Sequence, residues 1–247
     1  MGEQLELPEP KWLQIVGFSG GKDSTAMVYR MAERGEEFKL LFTPTGNEMP
    51  GVEDFVHETA RKVGRELIIP KGPKLMELIQ EFKALPSHRM RWCTRMIKIE
   101  PCIAFFKSIP KTQAALLCVG LRADEEKREG LYSKLIKSRF PLVEFGWNKA
   151  DVLAYLKRIG VCVPPRTDCA LCYEQSLLDW KNLLRNYPAL YAHGEALEQQ
   201  TGHTFRSPTR DAWPARLADL RVEFESGRKI RGEDKRAGDD ICRVCRL

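Results

Sequence analysis

Short apolar runs alternate with longer amphipathic stretches along the first part of the chain. Runs of this length, bounded by glycine, proline or charged residues, predict β-strands. They lie at residues 13–18, 38–43 and 66–69. Residues 25–32 and 52–63 carry apolar side chains at helical spacing, and Gly64 follows the second stretch where a helix commonly ends. This order of elements predicts an α/β fold built on a doubly wound parallel sheet.

The rest of the chain predicts more helices than strands. Helices are expected at residues 75–82, 97–107, 148–159, 177–184, 189–200 and 213–225, and strands at residues 114–120 and 140–145. Asn148 suits the N-cap of one of these helices. Residues 162–172 are a predicted loop, and residues 228–240 carry dense charge without apolar periodicity, which predicts a mobile segment. We expect an α/β domain at residues 1–160, followed at residues 161–247 by a cysteine-containing loop, an α-helical C-terminal extension and a charged tail.

The composition is that of a soluble protein with an affinity for anions. Apolar residues make up 43% of the 247 positions and charged residues 30%, enough for a core and a solvated surface. No run reaches the roughly 18 apolar residues of a membrane span, and the acidic, proline-containing residues 1–10 are unlike an export signal. We expect a cytoplasmic protein without a membrane partner. The net charge of +6 suits polyanionic partners, and eight cysteines indicate metal or redox chemistry rather than structural disulfides.

Residues 19–24, with the sequence SGGKDS, lie between the first predicted strand and the first predicted helix. Paired glycines let the backbone approach a ligand closely, and the N-terminus of the helix attracts an anion. Lys22 adds a cation for phosphate, and Asp23 adds a carboxylate that can hold Mg²⁺. The spacing is too short for a Walker A loop. The segment therefore predicts a different phosphate-binding loop, with a plain glycine turn as the alternative.

Residues 19–24 closely match the PP-loop of the ATP pyrophosphatase superfamily, whose members split ATP between the α- and β-phosphates. Gly120, Arg122 and Glu125 resemble the Gly-x-Arg-x-x-Glu region of the PAPS reductase family within that superfamily. The resemblance implies an adenine nucleotide α-hydrolase-like fold. It also implies catalytic roles for Lys22, Asp23 and Arg122.

A further segment, Thr45 and Gly46, resembles the Asp-Thr-Gly segment of the same family, with Pro44 in the place of the aspartate. The departure at Pro44 removes the carboxylate to which an adenosine or metal role would be assigned. Carried over position by position, the resemblance implies one set of nucleotide-binding residues. They are Phe18, Ser19, Gly20, Gly21, Lys22, Asp23, Ser24, Thr45, Gly46, Gly120 and Arg122.

Residues 93–101 look like the Cys-Cys-x-x-Arg-Lys-x-x-Pro run of iron–sulfur sulfonucleotide reductases, which bind a [4Fe-4S] cluster with this run and a later CxxC pair. Cys93, Cys169 and Cys172 match three of these ligands, and Thr94 replaces the other. A fourth ligand could be non-protein or come from Cys162, Cys102, Cys242 or Cys245. A single cysteine at this point also resembles the DndC-type proteins of DNA phosphorothioation, which join a PP-loop to an iron–sulfur cluster. Zinc and free, buried cysteines are the alternatives.

Cys242 and Cys245 form a second CxxC pair near the end of the chain, beside arginines that favour the reactive thiolate. Catalysis, metal binding and no role at all remain open for this pair. The arginines at positions 89, 91 and 95 could follow a nucleic-acid backbone, and a solvated face is the alternative.

We interpret the chain as an ATP-dependent adenylating enzyme that releases pyrophosphate and activates an acceptor for sulfur transfer to a nucleic acid or nucleotide. The implied cofactors are ATP, Mg²⁺ and a [4Fe-4S] cluster. The implied partners are DNA or tRNA and a sulfur-donor protein, and a homo-oligomer stays open. A PAPS or APS reductase is the main alternative, but it holds no γ-phosphate, so an intact Lys22 and Asp23 favour ATP. An ATP sulfurylase-like subunit and a non-enzymatic nucleic-acid-binding protein are further alternatives.

Overall fold

The computed structural model describes residues 12–125 and 136–231. Its strands are β1 (Leu13–Gly17), β2 (Lys39–Leu41), β3 (Leu67–Ile68), β4 (Ala115–Cys118) and β5 (Ser138–Arg139). They form one sheet in the order β3-β2-β1-β4-β5, and every pair is parallel. The strand order reverses between β1 and β4. A crevice opens at such a reversal beyond the carboxyl ends of the strands, where ligands bind in sheets of this type.

The helices of the described residues follow the predicted order closely. They are α1 (Lys22–Glu33), α2 (Val52–Val63), α3 (Leu75–Phe82), α4 (Glu100–Ser108), α5 (Pro141–Glu144), α6 (Lys149–Arg158), α7 (Leu177–Asn186), α8 (Pro188–Thr201) and α9 (Leu217–Glu225). A π-helix, Thr94–Ile99, leads directly into α4. The predictions for residues 52–63 and 75–82 match α2 and α3 at both ends. None of the helices within these ranges is long and apolar enough to cross a membrane.

Helices cover both faces of the sheet because successive strand residues point to opposite sides. Val16 of β1 packs with Met27 of α1 in one apolar cluster. Its neighbour Ile15 packs with Leu117 of β4 and Cys102 of α4 in another. The predicted α/β fold, a doubly wound parallel sheet, is therefore confirmed.

The C-terminal helices α7, α8 and α9 surround Trp180 and Tyr191, both fully buried. The hydroxyl of Tyr191 donates a hydrogen bond to the carbonyl of Leu217, at 2.8 Å, which fixes α8 against the start of α9. The same apolar cluster includes Leu75 and Leu78 of α3, so the helical extension packs onto the α/β part of the chain. The predicted extension is confirmed, and the domain boundary at residue 160 stays a prediction.

Three predicted elements differ from the structure. The strand predicted at residues 140–145 is wrong: β5 ends at Arg139 and α5 follows. Pro141 lacks the N–H needed for a strand ladder, whereas its fixed φ suits the first turn of a helix. The helix predicted from residue 213 begins only at Leu217, since Pro214 disfavours a helical residue before it. The helix predicted at residues 97–107 is in part the π-helix, which widens where Pro101 cannot donate to the preceding turn.

The predicted mobile segment at residues 228–240 is only partly described. Residues 228–231 lie within the described ranges, where the side chain of Ile230 is buried. Residues 232–240 lie outside the described residues, as do Cys242 and Cys245.

Candidate functional site: the PP-loop and the three-thiol cavity

The PP-loop, residues 19–24, consists of the loop residues directly before α1 and the first residues of that helix. Gly20 has φ +75°, and a Cβ at this position would lie 3.2 Å from Cγ2 of Val56, so a glycine is required on both counts. Gly21 is the N-cap in an extended conformation, and Lys22 already belongs to the helix. The prediction placed the helix start three residues later, at Thr25. The N–H groups at this helix end point toward an anion site beside β1.

The flanking residues of the loop are held by short contacts. The backbone N–H of Phe18 donates to the carbonyl of Leu41 at 2.9 Å, which extends the pairing of β1 and β2 up to the loop. The hydroxyl of Ser24 donates to the carbonyl of Gly21 at 3.0 Å and lies 3.4 Å from the hydroxyl of Ser19. The loop is therefore shaped by its own residues as well as by the sheet.

Gly120 brings the end of β4 against the start of α1. A Cβ at Gly120 would lie 3.2 Å from the backbone nitrogen of Ser24 and 3.4 Å from the carbonyl carbon of Asp23. Backbone atoms cannot move aside as a flexible side chain can, so only glycine allows this approach. The structure thus brings the two predicted nucleotide-binding segments together at the reversal of strand order.

Arg122 is buried and lies among carboxylates. Its Nη1 is 2.7 Å from Oδ2 of Asp23, and its Nε is 2.9 Å from Oδ1 of Asp124. Its Nη2 lies 3.2 Å from Oε1 of Glu125. The predicted catalytic residues Asp23 and Arg122 are therefore direct partners, fixed in orientation before any ligand binds.

Asp23 keeps one carboxylate oxygen without a hydrogen bond. Burial raises its pKa even though Arg122 and Lys22 act in the opposite direction. Its Oδ1 is buried and has no hydrogen-bond partner. A buried, unpartnered carboxylate oxygen beside a phosphate-binding helix end fits a hard cation such as Mg²⁺, which prefers oxygen ligands.

The segment after β2 is organised by Glu48 rather than by an aspartate at position 44. The Glu48 carboxylate accepts hydrogen bonds from the backbone N–H of Thr45 at 2.6 Å, from its hydroxyl at 2.7 Å, and from the N–H of Asn47 at 3.1 Å. The carbonyl of Pro44 instead accepts a hydrogen bond from Nζ of Lys74, at 3.0 Å. The turn at Thr45 is therefore rigid although the family aspartate is missing.

Three cysteines that are far apart in the sequence line one cavity of about 220 Å³. Cys93 comes from the residue before the π-helix, and Cys169 and Cys172 come from the loop before α7. The cavity is also lined by Thr45 of the predicted nucleotide site. The structure thus brings together the three cysteines expected to be metal ligands, next to the segment expected to bind the nucleotide.

Burial raises the pKa of each of these thiols. The pKa of Cys169 rises to about 11, and that of Cys172 rises well above its ordinary value. The pKa of Cys93 is also raised by burial. Lys98 of the π-helix lies close enough to lower the pKa of each thiol in part, so its ammonium group lies near all three. The three sulfur donors and one cation line the same cavity, but in the part of the chain that the structure describes the thiols are not arranged as a metal site.

The candidates for a fourth ligand do not reach this cavity among the described residues. Cys162 is exposed and lines a different cavity, and Cys102 is buried in the apolar cluster beneath the sheet. Cys242 and Cys245 lie outside the described residues. Within residues 12–125 and 136–231, no group of three His, Cys, Asp or Glu side chains is arranged to hold a metal ion.

A second cavity, of about 340 Å³, adjoins the PP-loop at Gly21 and Lys22. It is bounded by the start of α1, by α6 and by residues 161–167. Lys22 shares it with Lys149 and Lys157 of α6.

No role was predicted from the sequence for Glu48, Lys98, Lys149 or Lys157. Lys98 falls at the lysine position of the reductase-like run at residues 93–101, which was a usable signal. No local pattern marks Glu48 or the α6 lysines, because their placement depends on how the chain folds back onto the PP-loop.

The profile of the phosphoadenosine phosphosulfate reductase domain matches residues 14–165, more than half of the chain. Two uncharacterized proteins of Methanocaldococcus jannaschii are also similar. MJ0066 is 24% identical over 195 residues, covering 73% of this chain and 40% of its own length. MJ0973 is 23% identical over 233 residues, covering 86% of this chain and 55% of its own length. The chain thus spans about half the length of these two curated relatives.

Two solved structures are similar at lower levels. A phosphoadenylyl-sulfate (PAPS) reductase from Candida auris, in a phosphate complex, aligns with a TM-score of 0.46 and 19% identity, over 62% of this chain and 75% of its own. A predicted subunit of a tRNA methyltransferase from Methanocaldococcus jannaschii aligns with a TM-score of 0.35 and 19% identity, over 61% of this chain and 89% of its own.

Proposed function

The chain belongs to the phosphoadenosine phosphosulfate reductase family, and we propose that it is an ATP-dependent adenylating enzyme within it. The proposed reaction activates an acceptor with AMP, releases pyrophosphate and prepares the acceptor for sulfur transfer. The proposed acceptor is a nucleic acid or a nucleotide. The intact loop at residues 19–24 supports ATP as the substrate, because its helix end and its lysine suit an anion with several phosphates.

In this proposal the PP-loop holds the β- and γ-phosphates. The N–H groups at the start of α1 and the ammonium of Lys22 bind the phosphate oxygens, and the free Oδ1 of Asp23 takes Mg²⁺. Arg122 keeps Asp23 oriented and places a cation at the end of β4. The positive charge of Arg122 would stabilise the negative charge that develops at the α-phosphate in the transition state.

The proposed reaction has two steps. An oxygen of the acceptor attacks the α-phosphorus, the bond from that phosphorus to the bridging oxygen breaks, and pyrophosphate leaves. The adenylated acceptor then loses AMP when a sulfur nucleophile forms a bond to the acceptor carbon and the carbon–oxygen bond breaks. The residues supply mainly positioning and electrostatic stabilisation in the first step.

One observation carries the link to sulfur: the thiol of Cys169 contacts Thr45, a residue of the predicted nucleotide site, at 3.2 Å. Sulfur chemistry in the three-thiol cavity would therefore take place beside the nucleotide. In the proposal, Cys93, Cys169 and Cys172 hold an iron–sulfur cluster in that cavity. The cluster would supply redox-active, thiolate-bound iron, and Lys98 would balance part of its negative charge.

Pyrophosphate release from ATP tests the adenylating reaction. The protein is purified anaerobically and assayed with tRNA, duplex DNA or a mononucleotide as acceptor. Lys22→Ala and Asp23→Ala are expected to abolish the release. Lys62→Ala serves as the matched control, since Lys62 is exposed and pairs only with Glu58 among the ion pairs of the described residues. Full turnover by both loop variants would refute the proposal.

A PAPS or APS reductase is the second candidate, favoured by the three thiols beside the predicted nucleotide site. It requires a sulfonucleotide in the pocket and a cysteine that attacks its sulfur. Sulfite release from PAPS or APS in the presence of a thiol reductant, with no pyrophosphate from ATP under any condition, would favour this candidate over the first.

A further inference from the structure

The cavity between α1, α6 and residues 161–167 has the charge pattern of an anion site. Of the residues that the structure describes, twelve line it, and these include three lysines and no aspartate or glutamate. Lys22 belongs to the first turn of α1, Lys149 to the first turn of α6 and Lys157 to its last turn. These three lysines face one space of about 340 Å³, so their charges act on the same volume.

The walls of this cavity strengthen the field of the lysines. Leu153, Leu156, Val161 and Val163 line it together with two prolines. Apolar walls have a low dielectric constant, so they focus the field of like charges into a cleft and raise its affinity for a counter-ion. The backbone of Gly21 lines the same cavity, which places the N-terminal end of α1 at its edge.

The cavity is continuous with the phosphate-binding end of the PP-loop but lies away from the thiols. Gly21 and Lys22 of the PP-loop line it. No described residue lines both this cavity and the three-thiol cavity. Lys149 also acts electrostatically on Asp124, which pairs with Arg122. The α6 lysines therefore lie next to the PP-loop and the Arg122 cluster, in a cavity separate from that of the thiols.

We propose that Lys149 and Lys157 form a pyrophosphate subsite with Lys22, which receives the terminal phosphates of ATP and holds pyrophosphate after cleavage. This inference rests on the proposed function and names a part of its site. Pyrophosphate carries several negative charges on two linked phosphates, and the positive charges of three lysine side chains can balance them. The acceptor and the thiols would then approach the α-phosphate from the other side.

The test measures equilibrium binding, by isothermal titration calorimetry, to the full-length chain. The ligands are Mg²⁺-pyrophosphate, AMP and adenosine 3′,5′-bisphosphate. The variant is Lys149→Ala/Lys157→Ala, and the matched control is Lys107→Ala/Lys111→Ala. Lys107 and Lys111 are exposed and lie before β4, at the opposite end of the sheet from the PP-loop. Thermal unfolding checks that both double variants are folded.

We expect the α6 double variant to bind pyrophosphate at least about tenfold more weakly, because each charge-assisted contact contributes about that factor. The affinities of this variant for AMP and for adenosine 3′,5′-bisphosphate should stay within about twofold of the wild-type values. The control variant should bind all three ligands as the wild type does. Unchanged pyrophosphate affinity in a folded variant would overturn the inference. A selective loss of affinity for adenosine 3′,5′-bisphosphate would also overturn it, because the lysines would then bind the 3′-phosphate of the ribose instead of pyrophosphate.

The outcome is separable from that of the proposed function. Lysine-dependent pyrophosphate binding in a chain that releases no pyrophosphate from ATP would refute the adenylating reaction and leave the subsite in place. Pyrophosphate release by the wild type together with lysine-independent binding would refute only the subsite.

Discussion

The thiol of Cys169 donates a hydrogen bond to the hydroxyl oxygen of Thr45, and the two atoms are 3.2 Å apart although the residues are separated by 124 positions. The same hydroxyl donates to Glu48, so the thiol, the hydroxyl and the carboxylate form a chain. The backbone holds this contact from both sides, since the N–H of Ala170 donates to the carbonyl of Asn47 at 2.7 Å. The thiol loop and the segment after β2 are thus fixed to each other.

Thr45→Val should make Cys169 less reactive. Burial raises the pKa of Cys169 to about 11, and Thr45 lowers it in part because its hydroxyl can rotate away from Glu48 and donate to the thiolate. Loss of a hydrogen bond worth about 1 kcal/mol should slow alkylation of this thiol about fivefold. Mass spectrometry of iodoacetamide-treated, chelator-stripped protein measures the rate at each cysteine. The exposed Cys162 is the internal reference, and an unchanged rate at Cys169 would show that the contact has no effect.

Arg122→Ala should destabilise the fold because it leaves the buried Asp23 carboxylate without its ion-pair partner. Both side chains are at most 10% exposed. Removal of one member of a buried pair costs about 3–5 kcal/mol. The loss should become smaller as the pH is lowered, because the Asp23 carboxyl, whose pKa is raised by burial, becomes protonated and no longer leaves a buried charge.

The double variant Asp23→Asn/Arg122→Ala is the control for this prediction. It removes the buried charge and should recover part of the lost stability in urea unfolding. Equal stability of the single and double variants would mean that the pair contributes little.

Because of Glu198, the free energy of unfolding should decrease as the pH rises through the range in which this carboxyl titrates. The carboxylate accepts hydrogen bonds from the N–H groups of Phe205 and Leu217, yet burial raises its pKa from 4.5 to about 7. The folded protein then binds more protons than the unfolded chain between those values, so the free energy of unfolding decreases across about pH 4.5 to 7. The total decrease from this group is about 3 kcal/mol.

The variant Glu198→Gln isolates this effect. It should be less stable than wild type at low pH by about 1–3 kcal/mol, because the amide oxygen can accept only one of the two backbone hydrogen bonds and the amide nitrogen cannot accept the other. The contribution of residue 198 to the pH dependence should disappear. Urea unfolding at several pH values measures both, and identical pH slopes for the variant and the wild type would contradict the assignment to Glu198.

Gly120→Ala should disturb the nucleotide site more than Gly17→Ala, a change at the last residue of β1. The new Cβ at Gly120 would press against the backbone of Ser24 at 3.2 Å, whereas at Gly17 its nearest contact is 3.6 Å away. Overpacking against backbone costs about 1–3 kcal/mol, and it should also push the end of β4 away from α1. Weaker ATP binding by Gly120→Ala than by Gly17→Ala is the expected result. Equal affinities would mean that the close approach does not position the ligand.

Replacement of single cysteines should show that the three cavity thiols, and not the other cysteines, are needed for bound iron. Cys93→Ala, Cys169→Ala and Cys172→Ala are each expected to remove the brown colour and bound iron of anaerobically purified protein. Cys102→Ala is the matched control, since Cys102 is buried outside the cavity and should leave the colour unchanged. Colourless wild-type protein with one equivalent of zinc would contradict the iron–sulfur assignment and favour a zinc site.

Local sequence determined the elements that depend on neighbouring residues. The alternation of apolar runs and helical stretches was enough for the parallel sheet, and Asn148 caps α6 as predicted, with its side chain accepting from the N–H groups of Ala150 and Asp151. The errors at residues 97–107, 140–145 and 213–225 occurred where a proline competed with an apolar pattern, whereas the start of α1 was predicted three residues late with no proline nearby. Pro141 and Pro101 changed the local backbone in ways that periodicity does not report.

The sequence by itself determined which chemical groups the chain carries and that the PP-loop follows the first strand, because spacing and residue type are local properties. Tertiary structure alone decided which of those groups meet. The convergence of Cys93 with Cys169 and Cys172, the contact of Cys169 with Thr45, and the placement of the α6 lysines beside Lys22 all depend on packing between distant segments. Such contacts follow from how helices and loops cover the sheet, and no spacing along the chain encodes them.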